Sequence, residues 1–129
     1  MEYYYYDTSA IIELYKNKAL KSLSKYKEFL HIADLQVKYE VLRPDDLIQM
    51  VYECMTIDIV TIEEFESIIP IMAKHKPLSK YDALALVICI EKNYCLVTND
   101  IDLKKACSIY NVSTVSSQYI EDNYIKGGN

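Results

Sequence analysis

The chain has 129 residues, a formal net charge of −5 at pH 7 and a hydrophobic content of 51%. This is the size of one domain, with enough apolar material to build a core. Its two glycines are Gly127 and Gly128, so residues 1–126 contain neither a glycine-rich phosphate loop nor the dinucleotide-binding turn of a Rossmann fold. We expect a single domain over residues 1–126, followed by a flexible tail at 127–129.

The cysteine pattern points to a reducing compartment. The four cysteines form no Cys-x-x-Cys pair and the chain has two histidines, so we expect buried, reduced thiols rather than a zinc site. The sequence shows no signal peptide and no apolar run of about 18 residues, the length that a membrane helix needs. We therefore expect a cytoplasmic protein that does not enter a membrane.

The first half of the chain is predicted to alternate strands with helices. Residues 3–6 are a continuous aromatic run, which favours a buried strand, and the Asp-Thr-Ser sequence at 7–9 offers N-caps for a helix that ends near Lys16. The further predicted elements are a helix over 18–30, a strand over 31–33, a helix with Val37, Glu40 and Leu42, a helix from Pro44, a strand over 58–61 and a helix over 62–74.

The second half gives clearer signals. Ser79 and Asp82 have the spacing of a capping box before an apolar run at 83–90, which predicts a buried helix. The further predicted elements are strands over 94–98 and 112–115 and helices over 99–108 and 117–124. Strands that alternate with helices pair in parallel, so we predict an α/β fold, a three-layer α/β/α sandwich with a central, mostly parallel sheet.

Acidic residues lie at positions that this fold would bring together. Asp7 and Asp100 follow two predicted strands, Asp82 opens the buried helix and Glu40 lies on the helix after the second strand. Ligands of open parallel sheets bind beyond the carboxyl ends of the strands. Two carboxylates about 4 Å apart repel by roughly 4 kcal/mol at an effective dielectric of about 20, so a cluster needs protons or a cation. Oxygen ligands favour Mg²⁺ or Mn²⁺, which can activate a water for phosphodiester hydrolysis.

Each acid also has a purely structural interpretation. Asp7 and Asp100 can cap the helices that follow them, and Asp82 can serve as the acidic end of the capping box. Asp102 can favour the N-terminal dipole of its helix, and Glu40 can be a surface residue. The functional interpretation depends on the coincidence of these acids at one edge of the predicted sheet.

Three segments resemble, in order, the sequence motifs of PIN domains. Residues 6–10 (YDTSA) are similar to the opening Asp-Thr/Ser-Ser/Asn-Ala element, residues 77–86 (PLSKYDALAL) to the Leu-Ser-x-x-Asp-Ala helix, and residues 96–103 (LVTNDIDL) to the Leu-Val-Thr-x-Asp-x-Asp element. The resemblance extends over essentially the whole chain. The compact length is similar to that of VapC-type toxins rather than to that of ribosome-maturation nucleases, which carry a zinc module.

This resemblance implies a metal-dependent endoribonuclease, the toxin of a toxin–antitoxin pair. It implies catalytic roles for Asp7, Glu40, Asp82 and Asp100. Of these, Asp7, Asp82 and Asp100 would hold Mg²⁺ or Mn²⁺, and Glu40 would ligate the ion or orient the water. Asp102 would be an auxiliary acid, and the hydroxyls of Ser9 and Thr98 would orient the carboxylates. The resemblance also implies an RNA substrate, a cognate antitoxin protein and a homodimer.

RNA contacts are expected to come from lysines, because the chain has one arginine, Arg43, for bidentate phosphate contacts. Two lysine-rich segments, 16–27 and 74–80, are candidates for weak, salt-dependent contacts to phosphates. A solvated helix face is the alternative interpretation of both segments. The lysines expected to contact RNA are Lys16, Lys18, Lys76 and Lys80.

The first two predicted helices are rich in apolar residues, and we expect part of their surface to bind another chain. The residues concerned are Ile11, Ile12, Leu14, Tyr15, Leu20, Leu23 and Tyr26. An antitoxin segment could fill a groove beside this patch and place a basic side chain against the acids.

Two other functions remain as alternatives. One is a non-catalytic PIN-like module that binds RNA or protein. The other is a phospho-acceptor receiver domain, which is also a small α/β protein with clustered acids. A receiver needs an adjacent pair of acids after its first strand, whereas here Asp7 is followed by Thr8.

Overall fold

The computed structural model describes residues 2–41 and 43–126, so Leu42 and the expected tail at 127–129 lie outside the described residues. Within the described part of the chain, five strands form one sheet: β1 (Tyr4–Tyr6), β2 (Leu30–Ala33), β3 (Thr56–Asp58), β4 (Cys95–Val97) and β5 (Thr114–Val115). Their order is β3-β2-β1-β4-β5, and every pairing is parallel. The predicted α/β class and parallel sheet are confirmed.

Helices fill the connections between the strands. They are α1 (Thr8–Lys16), a 3₁₀ helix (Leu20–Phe29), α2 (Asp34–Tyr39), α3 (Asp45–Cys54), α4 (Ile62–Glu66), α5 (Ile68–Lys74), α6 (Lys80–Lys92), α7 (Ile101–Ile109), α8 (Ser117–Ile120) and a π-helical segment (Glu121–Lys126). None of the helices in residues 2–41 and 43–126 combines the length and the apolar character needed to cross a membrane.

Alternation along β1 divides the core into two layers, because successive strand residues point to opposite faces of the sheet. Tyr4 and Tyr6 pack into a cluster with apolar residues of α1, the 3₁₀ helix and α3. Tyr5 packs into the other cluster, with residues of α5, α6 and α7. All three tyrosines are at most 1% exposed. The helices therefore cover both faces, which gives the predicted three-layer sandwich.

Helix α6 is the buried helix that the sequence predicts. The reciprocal hydrogen bonds of the capping box between Ser79 and Asp82 are both present at its start. Every residue from Ala83 to Cys89 is buried. The helix ends at Asn93, which adopts the left-handed conformation (φ 59°) that favours asparagine or glycine after a helix.

The prediction of one helix over 62–74 is wrong. The structure has α4 and α5 instead, separated at Ser67. Pro70 has no backbone N–H, and in a continuous helix its ring would meet the carbonyl group of Glu66. As the third residue of α5, Pro70 lies in a first turn, where a backbone N–H has no partner within the helix.

Other predicted boundaries are displaced. The strand predicted over 58–61 is instead β3 at Thr56–Asp58, and Thr61 is already the N-cap of α4. The segment predicted as a helix over 18–30 is a 3₁₀ helix, and Lys18 before it has a positive φ of 57°. Glu40 follows α2 instead of lying on it, and Pro44 is the N-cap of α3.

The last predicted helix, over 117–124, is also different in the structure. It is the short α8, which ends at Ile120 and continues as the π-helical segment.

The early helices expose less apolar surface than predicted. Ile11, Leu14, Leu20 and Leu23 are at most 1% exposed and belong to the core, whereas Ile12 is 37% exposed. These helices pack on the sheet, so most of the predicted patch is core.

The thiols are buried, as predicted. Cys54, Cys89, Cys95 and Cys107 are all free and buried. Burial raises the pKa of each thiol, to about 12 for Cys95 and Cys107. Such thiols are poor nucleophiles and poor metal ligands near neutral pH.

A histidine–aspartate pair joins β2 to β3. His31 Nδ1 lies 2.9 Å from Asp58 Oδ1, the ring of Tyr94 stacks on His31 with centroids 4.7 Å apart, and Lys92 Nζ lies 3.7 Å from Asp58 Oδ2. Burial acts to raise the pKa of Asp58, but the hydrogen bond and charge of His31, followed by the charge of Lys92, outweigh it and lower that pKa below its usual value.

We predict that Asp58→Asn destabilises the protein near pH 6 by about 2 kcal/mol, the scale of a lost hydrogen bond to a charged group. Because the pKa of Asp58 is lowered in the folded state, its stabilisation is complete above the unfolded value of about 3.9 and is lost as the pH falls through the folded value. Urea unfolding of both proteins should therefore show that the difference in their free energies of unfolding becomes small below about pH 4.

The exposed Glu66→Gln variant is the control for losing one negative charge. A difference between Asp58→Asn and wild type that stays constant down to pH 2 would contradict this account of the pair.

Candidate functional site

The strand order places a crevice between β1 and β4. β2 and β3 follow one another on one side of the central strand β1, and β4 and β5 lie on its other side. Open α/β sheets bind their ligands at such a switch point, outside the carboxyl ends of the strands. Asp7 directly follows β1 and Thr98 directly follows β4, so both residues stand at the mouth of this crevice.

Asp7 is fixed by hydroxyl groups rather than by a helix cap. It occupies the N-cap position of α1, but its side chain makes no capping hydrogen bond. Instead its Oδ2 accepts hydrogen bonds from Ser9 Oγ at 2.7 Å and Thr98 Oγ1 at 2.8 Å. Asp7 is 6% exposed and Thr98 is fully buried. The two hydroxyls predicted to orient the acids therefore both contact Asp7.

Asp82 and Asp100 do cap helices. Asp100 Oδ1 accepts from Leu103 N at 3.0 Å, while its own N–H donates to Thr98 Oγ1 at 3.1 Å. Asp82 Oδ2 accepts from Ser79 N at 3.0 Å and Ser79 Oγ accepts from Asp82 N at 3.1 Å. In these caps each carboxylate uses a single oxygen, so capping leaves its other oxygen available to a ligand.

Glu40 is half-buried beside Asp7 rather than free on the surface. It is the residue that ends α2, and its Oε1 accepts a hydrogen bond from the hydroxyl of Thr8, the residue after Asp7. Thr8 Oγ1 in turn accepts from Gln36 Nε2 at 3.0 Å. Glu40 is thus connected to the end of β1 through two side chains.

The four acids affect one another electrostatically. Burial raises the pKa of Glu40, and the negative charges of Asp7 and Asp82 raise it further, against the hydrogen bond from Thr8. Burial also raises the pKa of Asp82, and the charges of Asp7 and Asp100 add to it, against hydrogen bonds from the capping box. We call Asp7, Glu40, Asp82 and Asp100 the acidic cluster.

The cluster has the donor chemistry for a hard cation but not the arrangement of a formed metal site. Carboxylate oxygens are the ligands that Mg²⁺ and Mn²⁺ prefer. Across residues 2–41 and 43–126, however, no group of three or more His, Cys, Asp or Glu side chains is placed to hold a metal ion. The caps at Asp82 and Asp100 keep these side chains at their helix N-termini.

The other predicted site residues lie at different distances from the cluster. Asp102 is exposed on the first turn of α7. Lys16 is the last residue of α1 and Lys18 lies two residues beyond it. Since α1 has 9 residues, its two ends are about 12 Å apart. Lys76 and Lys80 are exposed just before and at the start of α6, the helix that carries Asp82. Lys80 is thus two residues from Asp82 on the same helix and Lys76 lies just before that helix, whereas Lys16 and Lys18 are at the end of α1 away from Asp7.

Sequence reasoning missed three polar residues around the cluster. Gln36 contacts Thr8, and its position four residues before Glu40 is the one signal that could have found it. Asn99 makes a reciprocal pair with Ser117, with Asn99 Nδ2 donating to Ser117 Oγ at 2.9 Å and Ser117 N donating to Asn99 Oδ1 at 3.1 Å. This pair ties the end of β4 to α8 and had no signal in the sequence.

Comparison with known proteins supports the fold. No protein-family model matches the chain, and no curated protein matches it in sequence. Among solved structures, the crystal structure of PAE2754 from Pyrobaculum aerophilum is similar, with a TM-score of 0.69 over 92% of this chain and 93% of that chain at 16% sequence identity. At this identity the likeness shows a shared α/β fold over nearly the whole length of both chains, and nothing about activity.

We predict that Glu40→Gln stabilises the metal-free protein at pH 7 by roughly 1 kcal/mol, the scale of repulsion between partly solvated like charges. The variant removes one charge from the acidic cluster, and its amide oxygen can still accept from Thr8. Because the pKa of Glu40 is raised in the folded state, wild type recovers stability as the pH falls through that value. The gain should therefore vanish below about pH 4.3, the unfolded value.

Chemical denaturation at several pH values measures this difference, with Glu66→Gln again as the exposed control. A Glu40→Gln protein less stable than wild type at pH 7 would show that Glu40 does not experience the other acids in this way.

Proposed function

We propose that the chain is a metal-dependent endoribonuclease of the PIN type, which hydrolyses phosphodiester bonds in RNA. The observation that carries the proposal is the acidic cluster, in which four elements bring carboxylates to the switch point of a parallel sheet. Burial is the main reason that the pKa values of Glu40 and Asp82 are raised, and the charges of the neighbouring acids raise them further, which a bound cation would offset. Titratable groups perturbed in this way are typical of functional sites.

The roles proposed here are those that the resemblance to PIN domains implies. Asp7, Asp82 and Asp100 would hold Mg²⁺ or Mn²⁺, and the bound ion would supply an activated water and polarise the phosphodiester. Ser9 and Thr98 hold Asp7 in one orientation by donating to its Oδ2. Glu40, held by Thr8, would ligate the ion or orient the attacking water.

RNA would approach along the start of α6. Lys76 and Lys80 are exposed there and would supply positive charge for the phosphates. The chain as a whole is acidic, with a net charge of −5, so these contacts would be few and the affinity for RNA strongly salt-dependent.

We further propose that the nuclease is a cytoplasmic toxin that forms a homodimer and is inhibited by a cognate antitoxin. The resemblance to VapC-type toxins is the basis of this proposal, and the free, buried cysteines agree with a reducing compartment. Exposed apolar residues on the β3–α4 side offer a surface for a second chain. Among them, Ile59 is 78% exposed and Ile62 74% exposed.

A second candidate is a non-catalytic module that binds RNA or protein. It is favoured by the capping contacts of Asp82 and Asp100, which give both residues a structural role. The receiver alternative has less support, because β3 lies beside β1 in flavodoxin-like sheets, whereas here β3 is at the edge beyond β2.

The central experiment is RNA cleavage by purified protein with Mn²⁺ or Mg²⁺. Asp7→Asn and Asp100→Asn are expected to lower the cleavage rate by at least about 100-fold, since each removes a charged ligand while an asparagine oxygen can still accept the same hydrogen bonds. EDTA should stop wild-type cleavage, and added Mn²⁺ should restore it.

Asp45→Asn, an exposed acid on α3, is the matched control and should cleave like wild type. Unchanged cleavage by Asp7→Asn would refute the assignment. RNA binding without cleavage by the wild-type protein in Mn²⁺ would favour the non-catalytic module.

Metal binding can also be followed without any substrate. A ligand that binds the native state alone stabilises it by RT ln(1 + [L]/Kd), about 2.7 kcal/mol at 100 times Kd. We predict that millimolar Mn²⁺ raises the melting temperature of wild type and of Asp45→Asn alike, and raises that of Asp82→Asn much less. Melting curves that Mn²⁺ leaves unchanged in all three proteins would show that the cluster is not a cation site.

A further inference from the structure

A buried chain of hydrogen bonds leads from the backbone of β2 to Glu40. Ala33 N donates to Tyr5 Oη at 3.1 Å, and Tyr5 Oη donates to Gln36 Oε1 at 2.6 Å. Gln36 Nε2 donates to Thr8 Oγ1 at 3.0 Å, and the Thr8 hydroxyl donates to Glu40 Oε1. We call the side chains of Tyr5, Gln36, Thr8 and Glu40 the relay.

The direction of every bond in the relay is determined by its first donor. A backbone N–H can only donate, so Tyr5 Oη accepts a hydrogen bond from Ala33, and the Tyr5 hydroxyl donates its own hydrogen bond to Gln36 Oε1. The amide nitrogen of Gln36 then faces Thr8 and also donates to the carbonyl oxygen of Tyr6 at 2.9 Å. That carbonyl can only accept, which gives the same amide orientation independently.

The last bond follows from this orientation. Thr8 Oγ1 accepts a hydrogen bond from Gln36 Nε2, so its own hydroxyl hydrogen is directed to Glu40 Oε1. Glu40 must therefore present an oxygen that carries no proton. One carboxylate oxygen is fixed in this way, and the other is left for the acidic cluster.

Burial keeps the relay in this state. Tyr5 is fully buried and Gln36 is 1% exposed. If the Gln36 amide were flipped, its nitrogen would face the Tyr5 hydroxyl and its oxygen would face the Tyr6 carbonyl oxygen. The hydrogen bond to Tyr6 would then be lost, and a buried polar group without a hydrogen-bond partner is costly. Glu40 lies four residues after Gln36, and Glu40 N donates to Gln36 O at 2.9 Å, so the same helix end holds both side chains.

We propose that Gln36 is a positioning residue that acts through Thr8 to hold Glu40 in one orientation within the acidic cluster. This inference rests on the proposed function for the catalytic importance of Glu40, while the relay itself involves neither metal nor substrate. If Gln36 had only a structural role, its bond to the Tyr6 carbonyl would be sufficient and Glu40 would be indifferent to it.

The test is a double-mutant cycle on folding stability, measured by urea unfolding of the full chain without metal. The cycle compares wild type with the single variants Gln36→Leu and Glu40→Ala and with the double variant that carries both substitutions. If the relay couples them, the two effects are not additive: Glu40→Ala is less unfavourable in the Gln36→Leu background than in wild type, because Thr8 no longer directs its hydroxyl hydrogen at Glu40. The relief of charge repulsion that Glu40→Ala brings is common to both backgrounds and cancels in the cycle. The coupling should disappear in a Thr8→Val background and persist with Thr8→Ser, which keeps the hydroxyl.

Val37→Ala provides the matched control, since Val37 is the buried neighbour on α2 that faces the core. It should destabilise the same helix and add independently to Glu40→Ala. Gln36→Met replaces Gln36→Leu in the cycle if the leucine variant does not fold. Independent, additive effects of Gln36 and Glu40 would overturn the relay.

RNA cleavage supplies a second readout. Gln36→Leu and Thr8→Val should lower kcat about 10-fold with KM unchanged, the effect typical of residues that orient catalytic groups, and Thr8→Ser should restore most of kcat. Wild-type kcat in Gln36→Leu would overturn the positioning role. Coupling in the stability cycle without RNA cleavage by wild type would support the relay and refute the proposed function.

Discussion

The parallel pairing of β1 with β4 is the interaction on which the rest of the structure depends. Tyr6 is in register with Val97, so Asp7 and Thr98, which directly follow the two strands, lie side by side at the edge of the sheet. Their side chains are joined by a 2.8 Å hydrogen bond. The same central strand separates the two core layers through its three buried tyrosines, which makes its register costly to shift. Packing in the core and the position of the candidate site therefore depend on one register.

The acidic cluster shows how this fold tolerates like charges in a partly buried place. Asp82 and Asp100 stand at the N-termini of α6 and α7, where capped N–H groups and the helix dipole stabilise negative charge. Asp7 is held by two hydroxyls and Glu40 by a third. Each acid has a local partner that holds it near the others, so structural and functional roles are compatible. The cost that remains is mutual repulsion, which a bound cation would relieve.

The comparison of sequence with structure separates local signals from tertiary ones. The α/β class, the buried helix α6 and the positions of Asp7 and Asp100 after strands follow from short-range patterns in the sequence. The interruption between α4 and α5 at Ser67 could also have been predicted from the sequence, because Pro70 lies in the middle of the helix predicted over 62–74. For Gln36 the sequence offers only its position four residues before Glu40, because its contacts depend on β1 and α2 meeting in space.

The capping roles predicted for the acids of the cluster also depend on whether long-range contacts intervene. The capping box of Asp82 was visible in the sequence and is present. The cap by Asp7 was an equally reasonable local expectation, but it is absent, and Asp7 Oδ2 accepts instead from Ser9 and from Thr98, which is distant in the chain. Long-range contacts decide which of two local options a side chain takes, and the relay to Glu40 is the clearest example.

The measurement that tests the central claim most directly is a crystal structure of the protein with Mn²⁺, recorded so that the anomalous signal locates the ion. The account predicts a Mn²⁺ peak between Asp7, Asp82 and Asp100, with Glu40 facing it directly or through a water. A crystal saturated with Mn²⁺ that shows no peak at these residues, with Asp82 and Asp100 still only capping their helices, would contradict it.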